Sequence, residues 1–241
     1  MQLAPHLHRI GNDIVAAYLV DTAEGVTVID AGLPGHWRDL LAELRDMGRA
    51  IEDVRGVVLT HGDSDHLGFA ERLRREHGVP VFVHSADAAR ARGGAKPSAS
   101  AGGFRPLPTL QFLAYSLSKG GARTAHLTEV VELQGGETLD LPGSPHIIEL
   151  PGHSPGSIAV HVPAVGAVFV GDGLTTRHVL TGRPGPQAAP FTDDPEQAIA
   201  SLTRLEGLGA RWVLPGHGAP WSGGVEEAVR LIRADRAARA D

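Results

Sequence analysis

Apolar and polar positions along the chain alternate between two periods, and the changes of period mark strands and helices. Residues 14–20 and 26–29 are apolar runs separated by Asp21-Thr22-Ala23-Glu24-Gly25, which predicts a hairpin. Asp30-Ala31-Gly32 then leaves the strand, and Pro34-Gly35 breaks the pattern. Trp37, Leu40, Leu41, Leu44 and Met47 recur at helical spacing, with Gly48 as the stop. A short apolar strand follows at 54–59. Leu67, Ala70, Leu73 and Arg74 lie on a helical pattern that ends near His77-Gly78, and 79–83 is again a strand. Ser85 is a suitable N-cap for a short helix running to about Arg92. This alternation predicts an α/β layer fold.

The stretch 93–127 is less regular. It opens with a glycine- and serine-rich run at 93–103, flexible by composition. Pro106–Ser118 carries no charge and is partly apolar, which fits a lid, an interface or an ordinary buried connection. Strands are predicted at 130–133, 138–141, 146–150, 157–162 and 167–170. The last two form a second hairpin that ends in Gly171-Asp172-Gly173, an echo of Asp30-Ala31-Gly32 after the first and a hint of a duplicated, two-sheet architecture. Residues 177–190 read as loop, 195–208 as an amphipathic helix, 211–214 as a strand and 225–238 as a final helix. No linker divides the pattern, so the expectation is one domain over residues 1–241.

Composition narrows the function. Lys plus Arg number 22 against 28 Asp plus Glu, a net charge of −6. A general nucleic-acid binder needs a basic face to displace phosphate counterions, so nucleic acid is not expected as a partner. With no cysteine, disulfides, thiolate ligands and a thiol nucleophile are excluded. No apolar run approaches the ~18 residues of a membrane span, and the first residues lack a basic segment followed by an apolar one. A cytoplasmic protein with no membrane partner is the expectation. The uncharged Pro106–Ser118 segment suits a homodimer contact.

The chemistry concentrates in Thr60-His61-Gly62-Asp63-Ser64-Asp65-His66-Leu67-Gly68, directly after a buried strand. A helix-capping loop accounts for Ser64 alone but not for two histidines and two aspartates within six residues. These are nitrogen and oxygen donors of the kind that bind zinc, iron or manganese. Three further polar residues stand in glycine-rich turns after strands: His153 in Pro151-Gly152-His153-Ser154-Pro155-Gly156, Asp172 between two glycines, and His217 in Pro215-Gly216-His217-Gly218. Side chains presented at several strand ends are how α/β layer proteins build a site at one sheet edge.

The order of these motifs resembles the metallo-β-lactamase superfamily of metallohydrolases over nearly the whole chain, from about Ile14 to the last helix. The resemblance implies a four-layer αββα sandwich and a site for two divalent metal ions, zinc first, with iron or manganese as alternatives. It places His61 and His153 at the first metal, Asp65, His66 and His217 at the second, and Asp172 as the bridge. It further implies metal-assisted hydrolysis of a small-molecule ester, lactone, thioester or phosphoester, with Asp65 also orienting the nucleophile or accepting its proton.

The chain departs from the usual H-x-H-x-D-H pattern at Asp63, where the family commonly has its second histidine. Three outcomes stay open: ligation through oxygen, binding through a water, or a weak or empty first site. Asp63, Asp65 and Asp172 together with a bridging hydroxide would make a site loaded with two divalent ions neutral, one unit less positive than usual. Diiron flavoproteins of the superfamily place a glutamate at this position, which implies an iron-dependent redox protein as one alternative to a hydrolase; a binder whose first site is disarmed by loss of the second histidine is the other. The 24 residues after His217 leave little room for the helical domain that glyoxalase II-like thioesterases append. Of the remaining polar residues, Asp30 is expected to tie the first hairpin to the site loop and His84 to cap or pack. Arg177 and His178 fit either the pocket or a solvated loop. Substrate choice is expected to reside in 93–127 and 177–190.

Overall fold

The computed structural model describes residues 1–94 and 103–240, so most of the glycine- and serine-rich run at 93–103 lies outside the described residues. Seven strands form the first sheet in sequence order: β1 (Gln2–Ala4), β2 (Leu7–Gly11), β3 (Ala16–Thr22), β4 (Gly25–Ile29), β5 (Val54–Val58), β6 (Val81–His84) and β7 (Val131–Leu133). Pairing is antiparallel through β4 and parallel from β4 to β7. The second sheet contains β8 (His146–Glu149), β9 (Ile158–Val162) and β10 (Ala167–Gly171), with a last strand, Trp212–Pro215, beside β10. Between them in sequence, β11 (Thr175–Arg177) and β12 (Pro184–Gln187) pair as a ribbon, which makes Trp212–Pro215 β13.

Both sheets repeat one scheme. An antiparallel hairpin, β3–β4 or β9–β10, is followed by a strand parallel to its second arm, β5 or β13. The echo between Asp30 and Asp172 in the sequence reflects this: each aspartate stands where the second hairpin arm ends.

Side-chain alternation separates the layers. On β3, Tyr18 and Val20 face the second sheet and meet Ile147, Val160 and Phe169, whereas Ala17 and Leu19 face outward. The outward face is covered by α1 (Trp37–Asp46) and α3 (Ala70–His77), through Trp37, Leu40, Leu44 and Leu73. On the far side, Val168, Val170 and Val213 pack against Val225, Val229 and Ile232 of α7 (Val225–Ala240). The result is the expected αββα sandwich, since each sheet must bury both faces. Among the described residues no helix is long and apolar enough to cross a membrane.

Several elements differ from expectation. The helix predicted around Leu67–Arg74 is broken at Gly68 into α2 (Ser64–Leu67) and α3, because Gly68 sits against the carbonyls of Ala31 and Gly32, where a Cβ would come within 2.3 Å. The short helix after β6 begins as a 3-10 turn at Ser85–Asp87 and continues as α4 (Ala88–Ala91). Its cap is not Ser85 but His84, whose Nδ1 accepts from the Ala86 N–H. Residues 138–141 contribute a single bridge, Thr138 to His146, rather than a strand. The loop expected at 177–190 contains part of the β11–β12 ribbon, and the helix expected at 195–208 is α6 (Pro195–Ser201) followed by a 3-10 turn.

Of the three readings open for Pro106–Ser118, the buried connection is excluded: the segment is a helix, α5, with an exposed face. Leu107, Leu110, Leu113 and Leu117 are at least half exposed. Its other face looks inward, where the Tyr115 hydroxyl bonds His36 Nε2 at 2.8 Å. The backbone N–H of Leu33 occupies His36 Nδ1, so Nε2 carries the proton and Tyr115 accepts it.

Phe169 lies at the centre of the inter-sheet layer with its ring 5.5 Å from that of Tyr18. Tyr18 in turn donates to the carbonyl of Pro215, at the start of the turn that carries His217. Replacing Phe169 by Ala removes a fully buried ring and is expected to cost about 3–5 kcal/mol. Urea denaturation checks this: a loss below about 1 kcal/mol would place the ring outside the core.

Candidate metal centre

The site lies along one edge of the two sheets. The ends of β4 and β5 supply Asp30 and His61, and the parallel strands β8, β10 and β13 lead to His153, Asp172 and His217. The short α2 adds Asp65 and His66, with Asp63 at its N-cap position. All seven residues singled out in the sequence come together. His61, Asp63 and His153 form one close group, Asp65, His66 and His217 a second, and His61, His66 and Asp172 a third, with ligand atoms within 4.8 Å of one another in each.

The four imidazoles share one orientation. His66 Nδ1 donates to Asp30 Oδ2 at 2.8 Å, and His217 Nδ1 donates to the carbonyl of Ile14. Thr60 Oγ1 gives its own proton to Asp30, so it accepts from His61 Nδ1 at 3.1 Å. Thr192 Oγ1 likewise donates to the Ala189 carbonyl and accepts from His153 Nδ1 at 3.2 Å. Each ring therefore spends its Nδ1 on a protein oxygen and turns Nε2 into the site. Bonds of this kind fix the tautomer and ring orientation of metal-binding histidines.

Those Nε2 atoms lack ordinary partners. Nε2 of His61, His66 and His153 and Oδ1 of Asp172 are buried with no hydrogen bond. Asp172 lies between both halves, 3.6 Å from His66 Nε2, 3.7 Å from His153 Nε2 and 3.2 Å from His217 Nε2. Asp63 Oδ2 is 3.4 Å from His153 Nε2, and Asp65 Oδ2 is 3.4 Å from His217 Nε2. Only the 3.2 Å approach of His217 to Asp172 is within hydrogen-bond reach; the longer spacings suit donors sharing one cation, since two atoms each about 2.1 Å from a tetrahedral ion lie roughly 3.4 Å apart. Burying unpaired polar atoms costs roughly 1–3 kcal/mol each, so this donor set fits divalent metal.

Several residues outside the sequence expectation hold the ligands. Asp30 has a left-handed backbone, φ 59°, and accepts from Thr60 N at 2.8 Å as well as from His66. Its expected role of tying the hairpin to the site loop is met, and it also orients a ligand. Asp87 is fully buried and accepts from the backbone N–H of Gly62 and Gly156 and from the Ser154 hydroxyl, joining the turns of His61 and His153. Gly216 leaves space for the site itself, because a Cβ there would lie 2.3 Å from His66 Cε1. Arg90, from α4, donates from Nε to Asp63 Oδ1 at 2.5 Å and from Nη1 to Asp193 Oδ2 at 2.6 Å. Asp30 and Gly216 stand in turns that the sequence marks, whereas Asp87, Arg90 and Asp193 have no local sequence signature.

The centre opens into a cavity of about 350 Å³. Leu33, Phe112, Val179 and Phe191 give it apolar walls, and Arg90 and His126 add polar ones. Both expected loop regions contribute, through Phe112 and Val179. Arg177 and His178 do not line it; His178 is half-buried in the turn after β11.

Charge sets the protonation pattern. Burial, with His66 and His153 beside it, holds His61 well below the ordinary imidazole range. Burial also opposes charge on His66, but Asp30, Asp172 and Asp65 outweigh it and raise that ring to about 10. Burial acts the same way on His217, where Asp172 and Asp65 overcome it and raise the ring to about 9. For Asp172 burial favours the neutral acid, yet His217, His66 and His153 hold the carboxyl well below its usual value.

Comparison with known proteins agrees with this geometry. The sequence profile of the Metallo-beta-lactamase superfamily matches residues 10–217. The Bacillus subtilis protein named "Probable metallo-hydrolase YflN" is 26% identical over 242 residues, covering 92% of this chain and 87% of the relative. A metallo-beta-lactamase family protein of Thermus thermophilus, TTHA1429, superposes with a TM-score of 0.71 at 24% identity, covering 99% of this chain and 81% of that one. The structure described as TTHA1623 in a di-iron-bound form is 30% identical, with a TM-score of 0.61, covering 91% and 96%.

Without metal, His66 and His217 each hold a proton at neutral pH, and metal must displace it from Nε2. Zinc added to metal-free protein at pH 8 in weak buffer is expected to release up to two protons at these rings. Because the raised values place the titrations near 10 and 9, apparent affinity rises with pH through this range and falls as pH drops below it. A pH-stat titration reads the release directly; binding with no proton release would contradict this assignment.

Proposed function

The chain belongs to the metallo-beta-lactamase superfamily, and we propose that it is a metal-dependent hydrolase of a small-molecule ester, lactone, thioester or phosphoester. The observation that carries this reading is the convergence of buried Nε2 atoms whose Nδ1 partners are all protein oxygens. His61, Asp63 and His153 would hold one divalent ion, Asp65, His66 and His217 the second, with Asp172 between them. Bound there, the ions supply a Lewis acid and lower the pKa of water toward ~7.

The protein's own groups supply orientation and proton handling. Asp65 is the most exposed of the site carboxylates, its side chain 23% accessible, and it lines the cavity. It would orient the attacking water and accept its proton at a carboxylate oxygen. Leu33, Phe112, Val179 and Phe191 would bind the substrate's apolar body and exclude bulk water. At about 350 Å³ the cavity suits a small molecule rather than a polymer.

Zinc is the first choice of metal. Iron is a second reading, favoured by the Asp63 carboxylate among the donors and by the 30% identity to a protein described in a di-iron-bound form.

Stripping metal with a chelator is expected to abolish hydrolysis across a panel of lactones, thioesters and phosphoesters, and zinc or iron to restore it. Asp65→Asn is expected to lower kcat by about 10²–10⁴. Hydrolysis that survives complete metal removal would refute the reading.

A further inference from the structure

We infer that Phe191 is a specificity-determining residue, set in a backbone conformation suited to glycine so that its ring, together with Phe112, selects carboxylic esters, lactones or thioesters that carry an aryl or similarly bulky apolar group. The inference rests on the hydrolase reading above and names the kind of substrate that site takes.

Among the described residues, His6, Asp30, Ser144 and Phe191 are the non-glycine positions with positive φ. Three of them are polar, and Asp30 orients a candidate ligand from that conformation. Phe191, at φ 59°, is the bulky apolar one, and a side chain of that size is disfavoured in the left-handed region. The local sequence shows what would ordinarily stand there. Ala189-Pro190-Phe191-Thr192 is a turn with Pro190 and Phe191 at its centre, closed by the Thr192 hydroxyl donating to the Ala189 carbonyl at 2.8 Å. Proline in the first central position followed by positive φ in the second is the arrangement in which glycine ordinarily fills the second.

The surroundings hold this conformation in place. Thr192 Oγ1 accepts from His153 Nδ1 at 3.2 Å, and the N–H groups of Asp193 and Asp194 donate to the carbonyls of His153 and Gly152 at 3.1 and 2.8 Å. The turn is thus fastened to the loop that carries a candidate ligand. Core packing does not repay the strain: Phe191 is half-buried and belongs to none of the three apolar cores. Its place is in the wall of the cavity. Strain that the surroundings impose and no core contact offsets points to a functional position.

Phe112 is placed in a similar way. It too lies outside the three cores and lines the cavity, with its ring 6.3 Å from that of His217 and nearly perpendicular to it. One phenyl ring is therefore tied to the loop of His153 and the other stands against His217, so each group of candidate ligands has an aromatic neighbour in the cavity wall. Leu33 and Val179 extend the apolar lining. Ring-to-ring contacts add to the burial of apolar area, so an aryl group gains most in a cavity of about 350 Å³.

The test is a ligand-observed NMR titration of zinc-loaded protein with phenylacetamide and with acetamide, unactivated amides that stand in for esters without being cleaved. Wild type is expected to prefer phenylacetamide by about 10–100-fold. Phe191→Gly is expected to lose most of that preference and Phe191→Tyr, which keeps the ring, to retain it. Thermal melts separate recognition from packing. Phe191→Gly is expected to melt no lower than wild type, because glycine fits the turn and no core contact is lost. Phe191→Ala, which keeps the strain without the ring, is expected to melt below Phe191→Gly with the same loss of preference. A wild type that binds both amides alike, or a preference unaltered in Phe191→Gly, overturns the inference. So does a Phe191→Gly protein that melts well below wild type, which would make the ring a packing element. Failure of the underlying reading is distinct: wild type would take up no zinc, or would cleave no ester, lactone or thioester with zinc bound. The same amide titrations on metal-free protein then still decide the role of Phe191.

Discussion

Four buried imidazoles aimed at one volume are stable only if a proton or a cation occupies their Nε2 atoms or a partner meets them, and that constraint organises this molecule. Nε2 of three of them has no hydrogen-bond partner, and the fourth faces only carboxylate oxygens more than 3 Å away. A polar core of this kind is costly unless every member is satisfied. The protein satisfies each Nδ1 with an oxygen of its own and leaves the Nε2 atoms to a cation. The sandwich supports this by bringing the ends of strands from both sheets to one edge, and the central apolar layer fixes their register. The Tyr18 hydroxyl ties that layer to the carbonyl just before Gly216-His217 and so links core packing to the placement of His217.

Asp63 stands at the N-cap position of α2, and Arg90 Nε donates to its Oδ1. Arg90 also donates to Asp193, so one buried guanidinium joins carboxylates on two loops. Hydrogen bonds to ionised groups are the stronger kind, and the bidentate reach of a guanidinium suits two carboxylates on different loops.

The candidate ligands are legible in the sequence because His61, His153, Asp172 and His217 follow strands in short, glycine-marked turns and Asp63, Asp65 and His66 crowd the segment just after β5. The layer order is legible for the same reason: β3–β4 and β9–β10 are apolar runs around clear turns. Arg90 is not legible. It lies 27 residues from Asp63 and 103 from Asp193, on a four-residue helix, and the pairing exists only once β6 delivers that helix to the site edge. At α5 composition left the choice between exposure and burial open, and the leucines at 107, 110, 113 and 117, which have helical spacing, point outward. The β11–β12 ribbon is hidden by Pro184 and Gly185, residues that favour loops in general but are tolerated in a short two-stranded ribbon.

The most direct measurement is elemental analysis of the purified protein, giving the metal and the number of atoms per chain. Two atoms of zinc or iron per chain are the result this account predicts. No metal, even after zinc is offered, would contradict it, because the orientation of His61, His66, His153 and His217 would then have no cation to serve.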